Sequence, residues 1–132
     1  MNRRRRTLLV TGAATFAAAW PLTHRVAAFQ GAEMYGLIGK MTTVAGKREE
    51  VLAILLDGIN NMPGCLSYII AKDPKDDNAL WITEVWDSDA SHKASLSLPE
   101  VKAAIAKARP LITGFSDSVT TIPVGGHGLP RR

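Results

Sequence analysis

Cysteine is nearly missing from this chain: Cys65 stands alone among 132 residues. No disulfide can form within one copy, so stability has to come from a hydrophobic core and from any partner subunit. Long apolar runs are missing too. The stretch from Leu8 to Trp20 is about 13 residues, short of the roughly 18 to 20 that span a bilayer, and Thr11, Gly12 and Thr15 soften it. There are no internal repeats, and no linker is long enough to separate two domains. The histidines, His24, His92 and His127, show no metal-ligand spacing. Gly114-Phe115-Ser116-Asp117-Ser118 lacks the second glycine of a nucleophile elbow, and Gly125-Gly126-His127-Gly128 opens no helix that could cradle a phosphate.

The first 28 residues differ in kind from the rest. Arg3 to Arg6 precede the apolar run, then come Pro21 and a small-residue end at Ala27 and Ala28, the layout of a targeting segment. Arg5-Arg6-Thr7-Leu8-Leu9 resembles a twin-arginine export signal, with cleavage expected after Ala28 and export to the periplasm or the exterior of a bacterium. The whole chain carries a net charge of +4, but five arginines and no acid lie in residues 1–28. The remainder holds eleven basic and twelve acidic residues, about −1. It has no basic patch interleaved with aromatics, which argues against nucleic-acid binding and against stable membrane association once the signal is removed.

Residues 29–124 read as one α+β domain, followed by a glycine-rich tail over 125–132. Alternation from Met34 to Met41 predicts a strand, and Thr42 to Gly46 a turn. Val51, Leu52, Leu55, Leu56 and Ile59 then make a helical stripe, with Glu49 and Glu50 in the first turn. Pro63 and Gly64 end that helix. Strands follow at Cys65–Lys72 and Ala79–Trp86, separated by the turn chemistry of Asp73-Pro74-Lys75-Asp76-Asp77-Asn78. On the third strand both faces carry large apolar groups, so both need cover. Ser88 to Leu96 reads as a short helix. Ser97-Leu98-Pro99-Glu100 reads as a capping box opening a longer helix with a stripe at Val101, Ala104, Ile105, Ala108 and Ile112. Gly114 to Ser118 is expected to turn and Val119 to Val124 to form the last strand. The order βαββαβ is a ferredoxin-like split βαβ unit with a four-stranded antiparallel sheet and helices on one face. Pairing two such sheets face to face, as a homodimer, would cover the other face.

Pro63-Gly64-Cys65-Leu66-Ser67-Tyr68, Asp73-Pro74, Glu84-Val85-Trp86 and Leu98-Pro99-Glu100-Val101 together resemble the antibiotic biosynthesis monooxygenase domain, including its quinol monooxygenases, over about residues 34–124. The resemblance implies a dimeric α+β barrel with a pocket between sheet and helices. It also implies oxidation of small aromatics by dioxygen as co-substrate, without metal or flavin. The family is chemically mixed, so fold transfers better than reaction; a non-catalytic ligand-binding or stress-related barrel and an isomerase of a small carbonyl compound are the alternatives. The haem-degrading branch uses a helical histidine and tryptophan at places that match Ile105 and Ser95, and neither is present. Many members also carry a histidine at the place of Ser95, which leaves His92, one helical turn from Asp89, as the imidazole candidate.

Cofactor-free oxygenation needs a dry pocket, a proton acceptor and donors that hold the ring oxygens. His92 and Glu84 are the candidate acceptors and Tyr68 the candidate donor; Tyr35 and Trp86 are candidates to wall the ring, with Arg109 as a substrate contact or a partner for Glu84. Structural alternatives stand beside these: core packing for Tyr35 and Trp86, a solvated helix position for His92, and a dimer-contact ion pair for Glu84. Cys65 at a strand start suits a small core residue.

Overall fold

The computed structural model describes residues 31–130; the candidate export signal and the last two residues lie outside them. Four strands, β1 (Tyr35–Thr43), β2 (Cys65–Lys72), β3 (Ala79–Trp86) and β4 (Ile112–Thr121), form one antiparallel sheet in the order β2-β3-β1-β4. Helices α1 (Arg48–Gly58), α2 (Asp89–Ser95) and α3 (Pro99–Ala108) connect them, and a 3-10 turn at Arg109–Leu111 leads from α3 into β4. This is the ferredoxin-like arrangement expected from the periodicity. No helix among the described residues is long and apolar enough to cross a membrane.

Strand alternation sorts the side chains into two faces. Leu80, Ile82, Glu84 and Trp86 of β3 pair with Met41, Gly39, Leu37 and Tyr35 of β1 and share the helix-covered face. Two apolar clusters fill it. Met41, Val51, Leu52, Leu55 and Leu80 make the first; Met62, Trp86 and Val101, with Tyr35, Cys65 and Tyr68 against them, make the second. On β3, Glu84 stands between Ile82 of the first group and Trp86 of the second. The alternation that buries its neighbours therefore buries a carboxylate where the clusters meet.

The other face is less covered. Val119, Ile38, Thr83 and Ile69 lie in one row across all four strands, and three of them are exposed apolar side chains, Ile69 at 56% and Val119 at 53%. One end of this face is locked by Asp73. Lys40 Nζ lies 2.9 Å from its Oδ2, Trp81 Nε1 donates to the same oxygen at 3.0 Å, and the Lys75 N–H donates to Oδ1 at 2.8 Å. The Lys40 hydrogen bond foremost, then the Lys75 N–H, holds the Asp73 carboxyl well below the usual carboxylate range. A carboxylate whose folded-state pKa is depressed adds stability above its ordinary pKa and loses it as pH falls. Asp73→Asn is accordingly expected to lower the urea midpoint at neutral pH, with the gap to the parent protein closing as pH drops through and below the ordinary carboxylate range. A gap independent of pH would show that the charge contributes nothing.

Three local expectations are corrected. Ser97 does not cap α3: the cap position is Leu98, without a side-chain hydrogen bond, and Pro99 opens the helix at a position where its missing N–H costs nothing. Leu56 is 61% exposed rather than packed, since the inward face of α1 is satisfied by Val51, Leu52 and Leu55. Gly114–Ser118 is not a turn. Strand β4 begins at Ile112, which leaves the helical stripe, and runs on to Thr121. The turn-like residues are absorbed as an irregularity in pairing with β1 between Ile38 and Lys40, and Asp117 there has φ 48°.

Candidate active site

The placement of the site starts at the turn after α1. Gly64 has φ +82°, and a Cβ there would collide with the Ser91 side chain. Glycine thus lets the start of β2 approach α2 closely, and the Asp87 N–H seals the contact by donating to the Gly64 carbonyl at 2.9 Å. Ser88 caps α2 by accepting from the Ser91 N–H. One turn on, His92 points back at β3, with its Nε2 3.7 Å from Glu84 Oε2.

Glu84 accepts a hydrogen bond from Trp86 Nε1 at 2.7 Å. Both residues are buried, Trp86 to 1% exposure. Burial pushes the Glu84 carboxyl up, against the opposing effects of the Trp86 hydrogen bond and of His92. Tyr68, the cross-strand partner of Glu84 on β2, has its phenol pushed far above the ordinary value by burial, with Glu84 and Cys65 adding to the shift. It therefore remains a donor at any working pH. Tyr35 stacks on the His92 ring with centroids 4.9 Å apart, and Trp86 meets that ring edge-on at 5.5 Å. The imidazole Nδ1 is buried and has no hydrogen-bond partner.

Five of the six candidate residues are thus brought together. Glu84, His92 and Tyr68 line a cavity of about 570 Å³ whose other walls are mainly apolar, including Leu37, Leu55, Ile82, Leu96 and Phe115. Trp86 lines a smaller extension of about 80 Å³ that reaches Ser95 and Val101. Arg109 stands on the rim of the large cavity, and no carboxylate among the described residues is within ion-pair distance of it. Its expected partnership with Glu84 is replaced by Trp86 and His92. The expected Asp89–His92 pairing is absent as well: Asp89 binds Lys93 Nζ at 2.6 Å, one turn along the solvent side. Cys65 packs against the second cluster, and burial raises its thiol pKa, which suits packing rather than nucleophilic attack. The apolar lining from Leu96 and Phe115 was not singled out from the sequence, and Ile105 was read as part of the α3 stripe rather than as a cavity wall. Their partial exposure breaks the buried-face pattern, and only the assembled cavity shows why. Among the described residues no group of three or more His, Cys, Asp or Glu side chains is placed to hold a metal ion. A second depression, about 560 Å³ between α1 and α3, is lined by Ala53, Asp57, Glu100 and Lys107 among others and has no aromatic or imidazole group.

The sequence pattern of the antibiotic biosynthesis monooxygenases matches residues 34–107, more than half of the chain and all of the site except Arg109 and the β4 rim. The chain belongs to the antibiotic biosynthesis monooxygenase family. Among solved structures, a Chloroflexus aurantiacus J-10-fl protein assigned to antibiotic biosynthesis monooxygenase is 61% identical, with a TM-score of 0.71 over 74% of this chain and 99% of that one. Assigned members from Caulobacter crescentus CB15 (22% identity, TM-score 0.65, 72% and 93% covered) and Nitrosomonas europaea (15%, 0.65, 73% and 94%) share the fold. No curated protein matches the chain.

Proposed function

We propose that this family member is an exported, homodimeric monooxygenase that oxidises a quinol or related small aromatic with dioxygen and no metal or flavin. The observation that carries the reading is the buried Glu84 carboxylate with the half-buried His92 ring 3.7 Å from it, beside the Tyr68 hydroxyl, on the wall of a largely apolar cavity. A phenol entering that cavity meets a carboxylate whose raised pKa makes it a stronger base than an exposed one. Glu84 takes the phenolic proton, directly or through His92, and Tyr68 donates to a ring oxygen. Tyr35 and Trp86 act behind this front: one stacks on the imidazole, the other orients the carboxylate.

The electron balance needs no further reductant. The ring anion passes one electron to dioxygen, and the resulting radical pair combines to form a carbon–oxygen bond. Cleavage of the O–O bond then releases one oxygen as water and leaves the other on the ring as a quinone carbonyl or hydroxyl. For hydroquinone the sum is hydroquinone plus dioxygen giving hydroxyquinone plus water, the substrate supplying all four electrons. The apolar lining keeps bulk water from protonating the anion.

Homodimerisation is supported by the exposed row Ile38, Ile69 and Val119 on the uncovered sheet face, which a second copy would bury. Export is supported by the Arg5-Arg6-Thr7-Leu8-Leu9 segment. Oxygen uptake by metal-free protein with a panel of hydroquinones tests the reaction, and uptake abolished in His92→Ala is the expected result. Saturable binding of the same compounds without uptake would favour a ligand-binding barrel, and anaerobic rearrangement of a carbonyl substrate would favour an isomerase.

A further inference from the structure

The space beside Glu84 and His92 is divided. A main cavity of about 570 Å³ continues into the extension of about 80 Å³, and Glu84, His92 and Tyr68 line both. Past those three, the extension reaches Ile59, Met62, Val101 and Ala104, apolar side chains of which the last three are buried. Its polar atoms are engaged elsewhere: Ser95 Oγ donates to the His92 carbonyl at 2.7 Å, and Trp86 Nε1 donates to Glu84 Oε2 at 2.7 Å. A buried water needs about two to four polar partners, and the apolar end supplies none. An aromatic ring is too large for it, since benzene fills an engineered core cavity of about 150 Å³. The extension therefore suits a guest that is smaller than a ring and makes no hydrogen bonds. An unfilled volume of this kind weakens a core, and one more methylene at Val101 would take up part of it.

Resting on the oxygenase reading, we infer that the extension is the dioxygen pocket: a dry space for one diatomic gas molecule, next to the space that holds the aromatic ring but separate from it. Dioxygen is apolar and passes readily from water into an apolar environment. Seated against Met62, Val101 and Ala104, it borders Glu84 and His92, where the ring loses its proton. The ring does not displace it on entering, so the anion forms with its electron acceptor already alongside. The bond-making and bond-breaking steps are those of the oxidation above; the pocket adds proximity alone.

Dissolved dioxygen is paramagnetic and speeds the nuclear relaxation of the methyl groups it touches, so its seat can be located without substrate or turnover. In the full protein under raised oxygen pressure, the methyl groups of Met62, Val101 and Ala104 are expected to relax several-fold faster than those of Leu52. Leu52 is buried to a like degree but borders neither space. Val101→Ile and Ser95→Val, which narrow the extension from α3 and from α2, should reduce this enhancement. With hydroquinone as substrate, both should also raise the oxygen concentration at half-maximal rate several-fold, while hydroquinone affinity measured without oxygen is kept. Relaxation that is uniform across Met62, Val101, Ala104 and Leu52 in the parent protein would overturn the inference. So would an unchanged oxygen requirement in both variants. Oxygen uptake by a parent protein with uniform relaxation leaves the oxygenase standing and this pocket refuted. Enhancement confined to the three methyl-bearing residues, with no uptake for any hydroquinone, keeps the gas pocket and refutes the oxygenase.

Discussion

Glu84→Gln is expected to lower the turnover of hydroquinone substrates by about two to four orders of magnitude, the usual worth of a positioned general base, while the fold stays intact. The substitution keeps an oxygen able to accept from Trp86 Nε1 and keeps the volume, but it removes the proton acceptor. Stability should move the other way. Glu84 has a folded-state pKa raised above its ordinary value, by burial first, so its neutral form favours the native state. A carboxyl of this kind contributes stability fully present below its unfolded pKa and lost as pH rises through the folded one. The glutamine variant lacks that loss. Its urea midpoint relative to the parent should therefore rise as pH increases through and above the ordinary carboxylate range. Loss of activity with gain of stability at one residue would mark Glu84 as a group kept for chemistry at the expense of the core.

Trp86→Ala is expected to be the most destabilising single change, costing about 3–5 kcal/mol, as for other large buried aromatics. That is a large share of the stability of a small domain. Trp86 is among the largest fully buried side chains, packs with Met62 and Val101, and meets both Glu84 and the His92 ring. Trp86→Phe separates packing from hydrogen bonding. Phenylalanine keeps most of the apolar contact but leaves Glu84 Oε2 without its donor, so the cost should be about 1–3 kcal/mol. Because that donor favours the carboxylate form, its loss raises the Glu84 pKa further, and the acid limb of the pH–rate profile should move to higher pH. An acid limb that stays in place in Trp86→Phe would mean that Glu84 is not the group whose ionisation governs the rate.

The fold was legible wherever one physical signal dominated. Strands β2 and β3 were bounded to the residue because Pro63-Gly64 and the Asp73–Asn78 turn punctuate alternating runs. Strand β4 was not, because glycine, serine and aspartate in 114–118 carry the same chemistry whether a chain turns or an edge strand bulges. Only pairing with β1 decides between them. The site shows the same division. Glu84 could be read as an acid on an apolar face, since alternation alone puts it beside Ile82 and Trp86. Its partners could not. Asp89, one helical turn from His92, was the natural guess from local spacing, yet helix α2 docks so that Lys93 takes Asp89 and the imidazole turns inward to a residue on another element. Contacts within one helix follow from sequence spacing; contacts between elements depend on how close they come, which here is set by a glycine at position 64.

Ser95, where the family resemblance implies a histidine in many members, has a defined place of its own in the structure. Its hydroxyl donates to the His92 carbonyl at 2.7 Å, so it is occupied within α2, and the imidazole over Glu84 comes from one turn earlier. The carboxylate–imidazole pair is therefore built from β3 and α2, with His92 rather than position 95 supplying the ring.

Mass spectrometry of the product formed under isotope-labelled dioxygen tests the central claim most directly. The account predicts one labelled oxygen atom in each molecule of oxidised product, the other label recovered in water, and labelled product formed about a hundredfold or more slower by Glu84→Gln. Product whose new oxygen comes from solvent water, or labelled product formed at an undiminished rate by Glu84→Gln, would contradict it.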